Sequence, residues 1–151
     1  MKNVSRVLFV CTGNTCRSPM AEYYFNSEIK KTGGKIFACS RGLFAHPGEP
    51  MSEGALEALA SKNIAGREHR SRQIDEEIIK NSDLVYGVTI HHEARLKQRF
   101  PDFADKIFAM AEDIGDPFGG SFETYRRCFE NIRKSVDVVV KSLSEDNLEN
   151  G

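Results

Sequence analysis

The 151 residues are enough for one domain, expected to span residues 1–151 and to bury roughly two-thirds of its unfolded surface. With 40% hydrophobic and 28% charged residues the composition is that of an ordinary globular chain, and a formal net charge of −1, from 21 basic and 22 acidic residues, supplies no global basic field to recruit nucleic acid. No segment approaches the roughly 18 consecutive apolar residues of a membrane span, so neither nucleic acid nor membrane is an expected partner, and any anion recognition must be local.

In chain order, residues 6–11 (RVLFVC) form a continuous apolar run, the mark of a strand covered on both faces as in a parallel sheet. Its core, residues 7–10, is too short for the apolar segment of a signal peptide, and a cytoplasmic location is expected. The turn-forming stretch TGNTCRSP follows. A helix is expected from Pro19, with Ser18 as N-cap, Ala21, Tyr24, Phe25 and Ile29 on one face, and Gly33-Gly34 at its end. Residues 35–40 (KIFACS) read as a second strand and 42–50 as a loop. Residues 52–62 read as a short helix with Ala55, Leu56 and Leu59 inward. Asp75 caps a further helix to about Lys80. Residues 83–89 (DLVYGVT) are a third strand, 93–100 a helix stopped by Pro101, 106–110 (KIFAM) a fourth strand and 113–120 a loop. In the last helix Phe122, Tyr125, Phe129, Ile132, Val136, Val139, Val140 and Leu143 keep the 3–4 spacing of a buried stripe, and the polar tail after Ser144 is expected to fray. Strands alternating with helices predict an α/β fold with a parallel sheet and helices on both faces.

The four cysteines, Cys11, Cys16, Cys39 and Cys128, have neither a disulfide-scaffold setting nor the spacing of a zinc site, so reduced thiols and no metal are expected. Cys11 stands at the head of a loop, residues 11–18, that joins the first strand to the first helix. In open α/β sheets ligands bind beyond the carboxyl ends of strands. A helix N-terminus offers free N–H groups and partial positive charge. Gly13 and Asn14 allow the loop amides to turn inward as an anion nest, and Arg17 adds a planar fork for two phosphate oxygens. The same field favours thiolate over thiol at Cys11, a nucleophile beside a bound phosphoryl group, with the Ser18 hydroxyl as donor to the sulfur. Taken alone Cys11 also reads as a buried strand-end cysteine. Arg17, six residues on and followed by Ser-Pro, turns the reading toward chemistry. No Lys follows the second glycine, so a Walker loop is excluded.

The run VCTGNTCRSPMAE resembles the signature of the low-molecular-weight protein tyrosine phosphatase family. The resemblance extends to Ser40-Arg41-Gly42, His69-Arg70-Ser71-Arg72-Gln73 and Asp116-Pro117-Phe118. It implies a four-stranded parallel sheet flanked by helices and two-step hydrolysis through a phosphocysteine, with no cofactor. Catalytic roles are implied for Cys11, Arg17 and Asp116. Asp116 would be the general acid that protonates the leaving group and then activates water; by itself an Asp-Pro is commonly a turn. Thr12, Gly13, Asn14, Thr15, Cys16, Ser18 and Phe118 are implied around the phosphoryl group and substrate, and Asn14, Ser40 and His69 as braces of the loop. Arg41 stands where the family carries Ala, so altered local packing is expected there. Cys16 is either a packed residue or, as the resemblance implies, a redox partner that traps oxidised Cys11 as a disulfide. His91 and His92 read as surface residues.

Two features bear on substrate. Thr15 lies where tyrosine-specific relatives carry Ile or Leu, and the resembling bacterial protein-arginine phosphatases carry Thr. In Asp116-Pro117-Phe118-Gly119-Gly120-Ser121 the second aromatic wall of the tyrosine-specific pocket is replaced by Gly119. Both point to phosphoarginine on proteins or peptides as substrate, with inorganic phosphate as product and phosphotyrosine as the alternative. Arsenate reduction needs a further cysteine relay, and neither Cys39 nor Cys128 makes a close pair. A non-enzymatic phosphate-binding module would lack the nucleophile or the acid.

Overall fold

The computed structural model describes residues 4–150, with side chains described through Leu143. Strand β1 (Arg6–Cys11) leads into helix α1 (Arg17–Thr32). Then come β2 (Phe37–Gly42), α2 (Glu53–Ala60), α3 (Glu76–Lys80), β3 (Leu84–Gly87), α4 (Ile90–Arg99), a 3-10 turn at Pro101–Lys106, β4 (Ile107–Ala109) and α5 (Phe122–Asn150). The four strands are all parallel, in the order β2-β1-β3-β4. The chain therefore steps outward from β1 first to one side and then to the other. The loop after β1 lies at this reversal, where a crevice opens between diverging connections.

Val7, Leu8, Phe9 and Val10 of β1 are wholly buried because both faces of the strand are covered. On one face Val7 and Phe9 meet Met20, Tyr24 and Phe25 of α1 and Phe129, Ile132 and Val136 of α5. On the other Leu8 and Val10 meet Leu43, Ile78, Ile79 and Leu96. The apolar stripe of α5 is buried as expected, save for its first residue, Phe122, which sits exposed at the helix start, and for Val140, half-buried. The helix continues through the tail where fraying is expected, to Asn150. Among the described residues no helix is long and apolar enough to cross a membrane.

Several boundaries differ from the sequence expectation, each for a local reason. Helix α1 begins at Arg17 rather than Pro19. Its N-cap is Cys16, which makes no side-chain cap bond, so Ser18 is not the cap. Gly33 closes the helix in the left-handed conformation, as expected. Strand β2 starts at Phe37, whose N–H meets Ser5 O, and extends to Gly42 because β1 pairs with it as far as Cys11. Strand β3 ends at Gly87 because Thr89 leaves the sheet to cap α4, which starts three residues earlier than expected. β4 keeps only residues 107–109 of the expected 106–110. Asp75 caps α3 as expected, whereas Ser52, read as the first helical residue, is the N-cap of α2, which spans only Glu53–Ala60 of the expected 52–62.

Phe9 has no exposed surface and packs edge-on against Phe25 at 5.9 Å between ring centroids. Phe9→Ala is expected to lower unfolding free energy by about 3–5 kcal/mol, measured as a shift of the urea midpoint at unchanged slope.

Candidate active site

The loop between β1 and α1 is held from its middle by Asn14. This residue, not Gly13, adopts the left-handed conformation, with φ 59°. Asn is one of the few residues that tolerates it. Fully buried, Asn14 has its polar groups satisfied. Its Nδ2 donates to Ser18 Oγ and to Ser40 Oγ, each at 2.9 Å, and its Oδ1 accepts from Arg72 N–H at 2.9 Å. Its carbonyl accepts from His69 Nε2 at 2.7 Å, and its amide points at Cys11 Sγ at 3.3 Å. Ser40 passes the load on, donating to Glu22 Oε1 at 2.6 Å. Burial pushes the Glu22 carboxyl upward, against the opposing Ser40 bond and the charges of Arg41 and Arg72. The expected braces Asn14, Ser40 and His69 thus meet in one network, with Glu22 and Arg72 as members that the sequence reading omitted.

Gly42 makes this closeness possible. A Cβ there would lie 2.7 Å from Thr12 O and 3.1 Å from Asn14 N. Next to it, the Arg41 guanidinium folds back onto Ser40 O at 2.8 Å.

At the loop's head, Cys11 Sγ lies 2.9 Å from Ser18 Oγ. Asn14 Nδ2 already donates to that oxygen, so the hydroxyl proton is free to point at sulfur. The Ser18 hydroxyl thus stands within hydrogen-bond reach of Cys11 Sγ, with Arg41 O, at 3.4 Å, a second acceptor for its proton. Arg17 is buried; Nη1 donates to Ile114 O at 3.0 Å and Nη2 lies 3.9 Å from Asp116 Oδ2. Asp116 Oδ1 accepts from the Phe118 N–H at 3.0 Å, which tethers the carboxylate in a tight turn while leaving its side chain 57% exposed. A cavity of about 220 Å³ is lined by Cys11, Thr12, Thr15, Arg17, Asp116 and Phe118, with Gly13 and Cys16. It brings together the three residues expected to be catalytic. Phe118 is exposed over most of its surface and Gly119 is left-handed, φ 78°, so one aromatic stands at the mouth where two were in question. Such a seat, with amides, a helix start and a guanidinium around a thiol, suits a tetrahedral anion.

The remaining cysteines are free thiols. Cys16 is buried, its sulfur 3.2 Å from Ser52 Oγ and 3.7 Å from Tyr125 OH. Burial pushes the Cys128 thiol up to about 12 and raises that of Cys39, which suits neither to a thiolate relay. Among the described residues no group of three or more His, Cys, Asp or Glu is placed to hold a metal ion.

His92 departs from expectation. It is buried rather than at the surface, with Nε2 2.9 Å from Thr12 Oγ1 and Nδ1 2.7 Å from Thr89 Oγ1; its neighbour His91 is exposed. Recognising Thr89 as the helix cap would have revealed it. The residue three positions into the helix then turns back toward the strand end and the loop. Burial, aided by the charge of Arg17, holds the His92 imidazole down at about 4.

Two outcomes are expected. Asn14→Ala loses the bonds that hold the left-handed loop, and turnover of a phosphorylated substrate should fall at least about 100-fold while the fold persists by circular dichroism. Because the His92 value in the folded state lies below its ordinary 6.5, the folded protein resists its protonation. Stability should be full above about pH 6.5 and decline as pH falls toward 4, with His69 acting in the same direction. Chemical denaturation of His92→Gln should show a shallower decline over that window than the wild type; an identical slope would contradict the assignment.

Comparison with known proteins places the chain in a family. Residues 6–149 match the model of the low molecular weight phosphotyrosine protein phosphatase family. A protein-arginine-phosphatase of Bacillus subtilis is 37% identical over 147 residues, covering 93% of this chain and 97% of its own length. The low molecular weight protein-tyrosine-phosphatase PtpB of Staphylococcus haemolyticus is 40% identical over 133 residues, covering 84% and 91%. Among solved structures, a cysteine-to-serine mutant of the YwlE arginine phosphatase with a phosphorylated active-site serine superposes with a TM-score of 0.89 at 35% identity, covering 93% of this chain and 97% of that one. The loop at the reversal of the sheet, its thiol and arginine, and a match along nearly the whole sequence agree: the chain belongs to the low molecular weight phosphotyrosine protein phosphatase family.

Proposed function

We propose that this protein is a cysteine-dependent phosphatase that removes the phosphoryl group from phosphoarginine side chains of proteins. The observation that carries the substrate choice is the polar lining of the cavity: Thr15 and Thr12 hydroxyls and the Asp116 carboxylate stand around the thiol, with Phe118 the one aromatic side chain in the lining. A guanidinium leaving group carries N–H donors, and a hydroxyl such as that of Thr15 can accept them where a branched aliphatic wall cannot. The membership of the chain and its likeness to an arginine phosphatase support the same reading.

On this reading the Cys11 sulfur attacks phosphorus while the phosphoryl oxygens are held by the loop amides and Arg17. The P–N bond breaks, and Asp116 gives its proton to the departing guanidine nitrogen. Asp116, now a carboxylate, takes a proton from water as that water attacks the phosphocysteine. The P–S bond breaks, returning the thiolate and releasing inorganic phosphate. Arg17 and the backbone amides supply the charge stabilisation that a cation supplies in a metallophosphatase. The cytoplasm, where thiols stay reduced, is the compartment assigned. A second reading, phosphotyrosine, draws on the similarity to PtpB and on the exposed Phe118 ring, which could flank a phenol.

The test compares kcat/KM on a phosphoarginine peptide and a phosphotyrosine peptide for wild type and Thr15→Ile. A wild-type preference for phosphoarginine that collapses or inverts in the variant is the expected result; a wild-type preference for phosphotyrosine would select the second reading. Cys11→Ser should abolish turnover yet retain phosphate binding. Asp116→Asn should slow turnover about 10²–10⁴-fold.

A further inference from the structure

His92 belongs to no brace of the loop's backbone, yet it is buried beside the cavity and hydrogen-bonded through both ring nitrogens. Its position is over-determined. Thr89 caps α4 by accepting the His92 N–H at 3.1 Å. Below it, the end of β3 presses against the first turn of α4: a Cβ on Gly87 would lie 2.8 Å from the His92 Cβ and 2.7 Å from Glu93 N. The backbone that carries the ring is therefore seated against the end of β3, and the ring itself is held by its two hydrogen bonds.

Proton accounting then gives the ring a direction. The Thr89 hydroxyl is buried, and its oxygen already accepts the His92 amide. Among the described residues, the hydroxyl proton has one acceptor, His92 Nδ1 at 2.7 Å. A buried hydroxyl left without an acceptor is costly, so Thr89 donates to Nδ1. The neutral ring then carries its hydrogen on Nε2 and donates it to Thr12 Oγ1, 2.9 Å away. Neutrality is secured by burial and by the nearby Arg17 charge, which keep the imidazole unprotonated near pH 7. With its oxygen engaged as acceptor, Thr12 must aim its own hydroxyl proton elsewhere, and Thr12 lines the cavity that holds the Cys11 thiol.

We propose that the Thr89–His92–Thr12 chain aims the Thr12 hydroxyl proton at the phosphoryl group seated in the loop, making His92 a positioning residue and Thr12 a side-chain donor that supplements the backbone amides. This rests on the phosphatase reading of the loop. It assigns work to a buried histidine more than 70 residues from the loop in sequence.

A double-mutant cycle tests it. Thr12→Val, His92→Phe and the double variant are compared with wild type in kcat/KM on whichever of the two phosphopeptides the protein hydrolyses. The same cycle is run in parallel on the affinity for inorganic phosphate. Each single substitution should lower kcat/KM about 10-fold or more, the scale of a hydrogen bond to a charged group. The double variant should be no worse than the worse single. His92→Gln, which keeps an N–H donor, should recover most of the loss, whereas His92→Asn, too short to reach Thr12, should not. His92→Asn also takes the place of His92→Phe in the cycle should the latter fail to fold. Effects that multiply in the double variant, or a Thr12→Val protein with wild-type kcat/KM and phosphate affinity, would overturn the proposal. A wild-type protein inert on both peptides would overturn the phosphatase reading instead, and the phosphate-affinity cycle would still decide the coupling.

Discussion

The left-handed Asn14 is the constraint on which the site depends. For a loop to turn successive amides toward one point it must leave the ordinary backbone regions, and that costs free energy at each such residue. Here the cost falls on one asparagine, whose side chain ties the loop to α1 through Ser18, to β2 through Ser40 and to the 69–73 segment through Arg72. His69 closes the set from the other side through the Asn14 carbonyl. A buried polar network of this kind stiffens a structure only when every member is satisfied, and Asn14 meets that condition. The loop's shape is thus held by side chains of the protein itself.

The sheet order supplies the second condition. Because β2 and β3 flank β1 on opposite sides, the segments that follow β2, β3 and β4 all converge on the end of β1. Gly42 brings β2 close to the loop, Thr89 and His92 arrive after β3, and Ile114 and Asp116 after β4. Arg17 is held by both the loop's own helix and the Ile114 carbonyl, which keeps its guanidinium facing Asp116 instead of solvent. Substrate selection in the proposed function then falls to the less constrained rim, where Thr15, Phe118 and Gly119 set polarity and width.

Much of this was legible in the residues. The buried run of β1, the stripe of α5 and the cap Asp75 follow from periodicity and local hydrogen-bond chemistry. Where reading failed, a tertiary contact had claimed a group that local rules assign elsewhere. Ser18 looks like a cap, but its hydroxyl is spent between Asn14 and Cys11. His92 looks like one of a surface pair, but the Thr89 cap turns it inward while leaving His91 exposed. Glu22 carries no local signal of a role, and Ser40 makes it a half-buried end of the loop's network.

What the sequence by itself determined is the loop: thiol, glycine, asparagine, arginine and serine stand within eight consecutive residues between a strand and a helix, and their spacing alone brings them to one place. The α/β class follows equally, because alternation of apolar runs and helical stripes is a property of neighbouring residues. What only the tertiary structure decided is which distant groups reach that loop. The order of strands in the sheet and the depth to which α4 seats on Gly87 are set by packing between segments far apart in the chain. No local pattern encodes the 2.9 Å between His92 and Thr12, or the turn that brings Asp116 opposite Arg17.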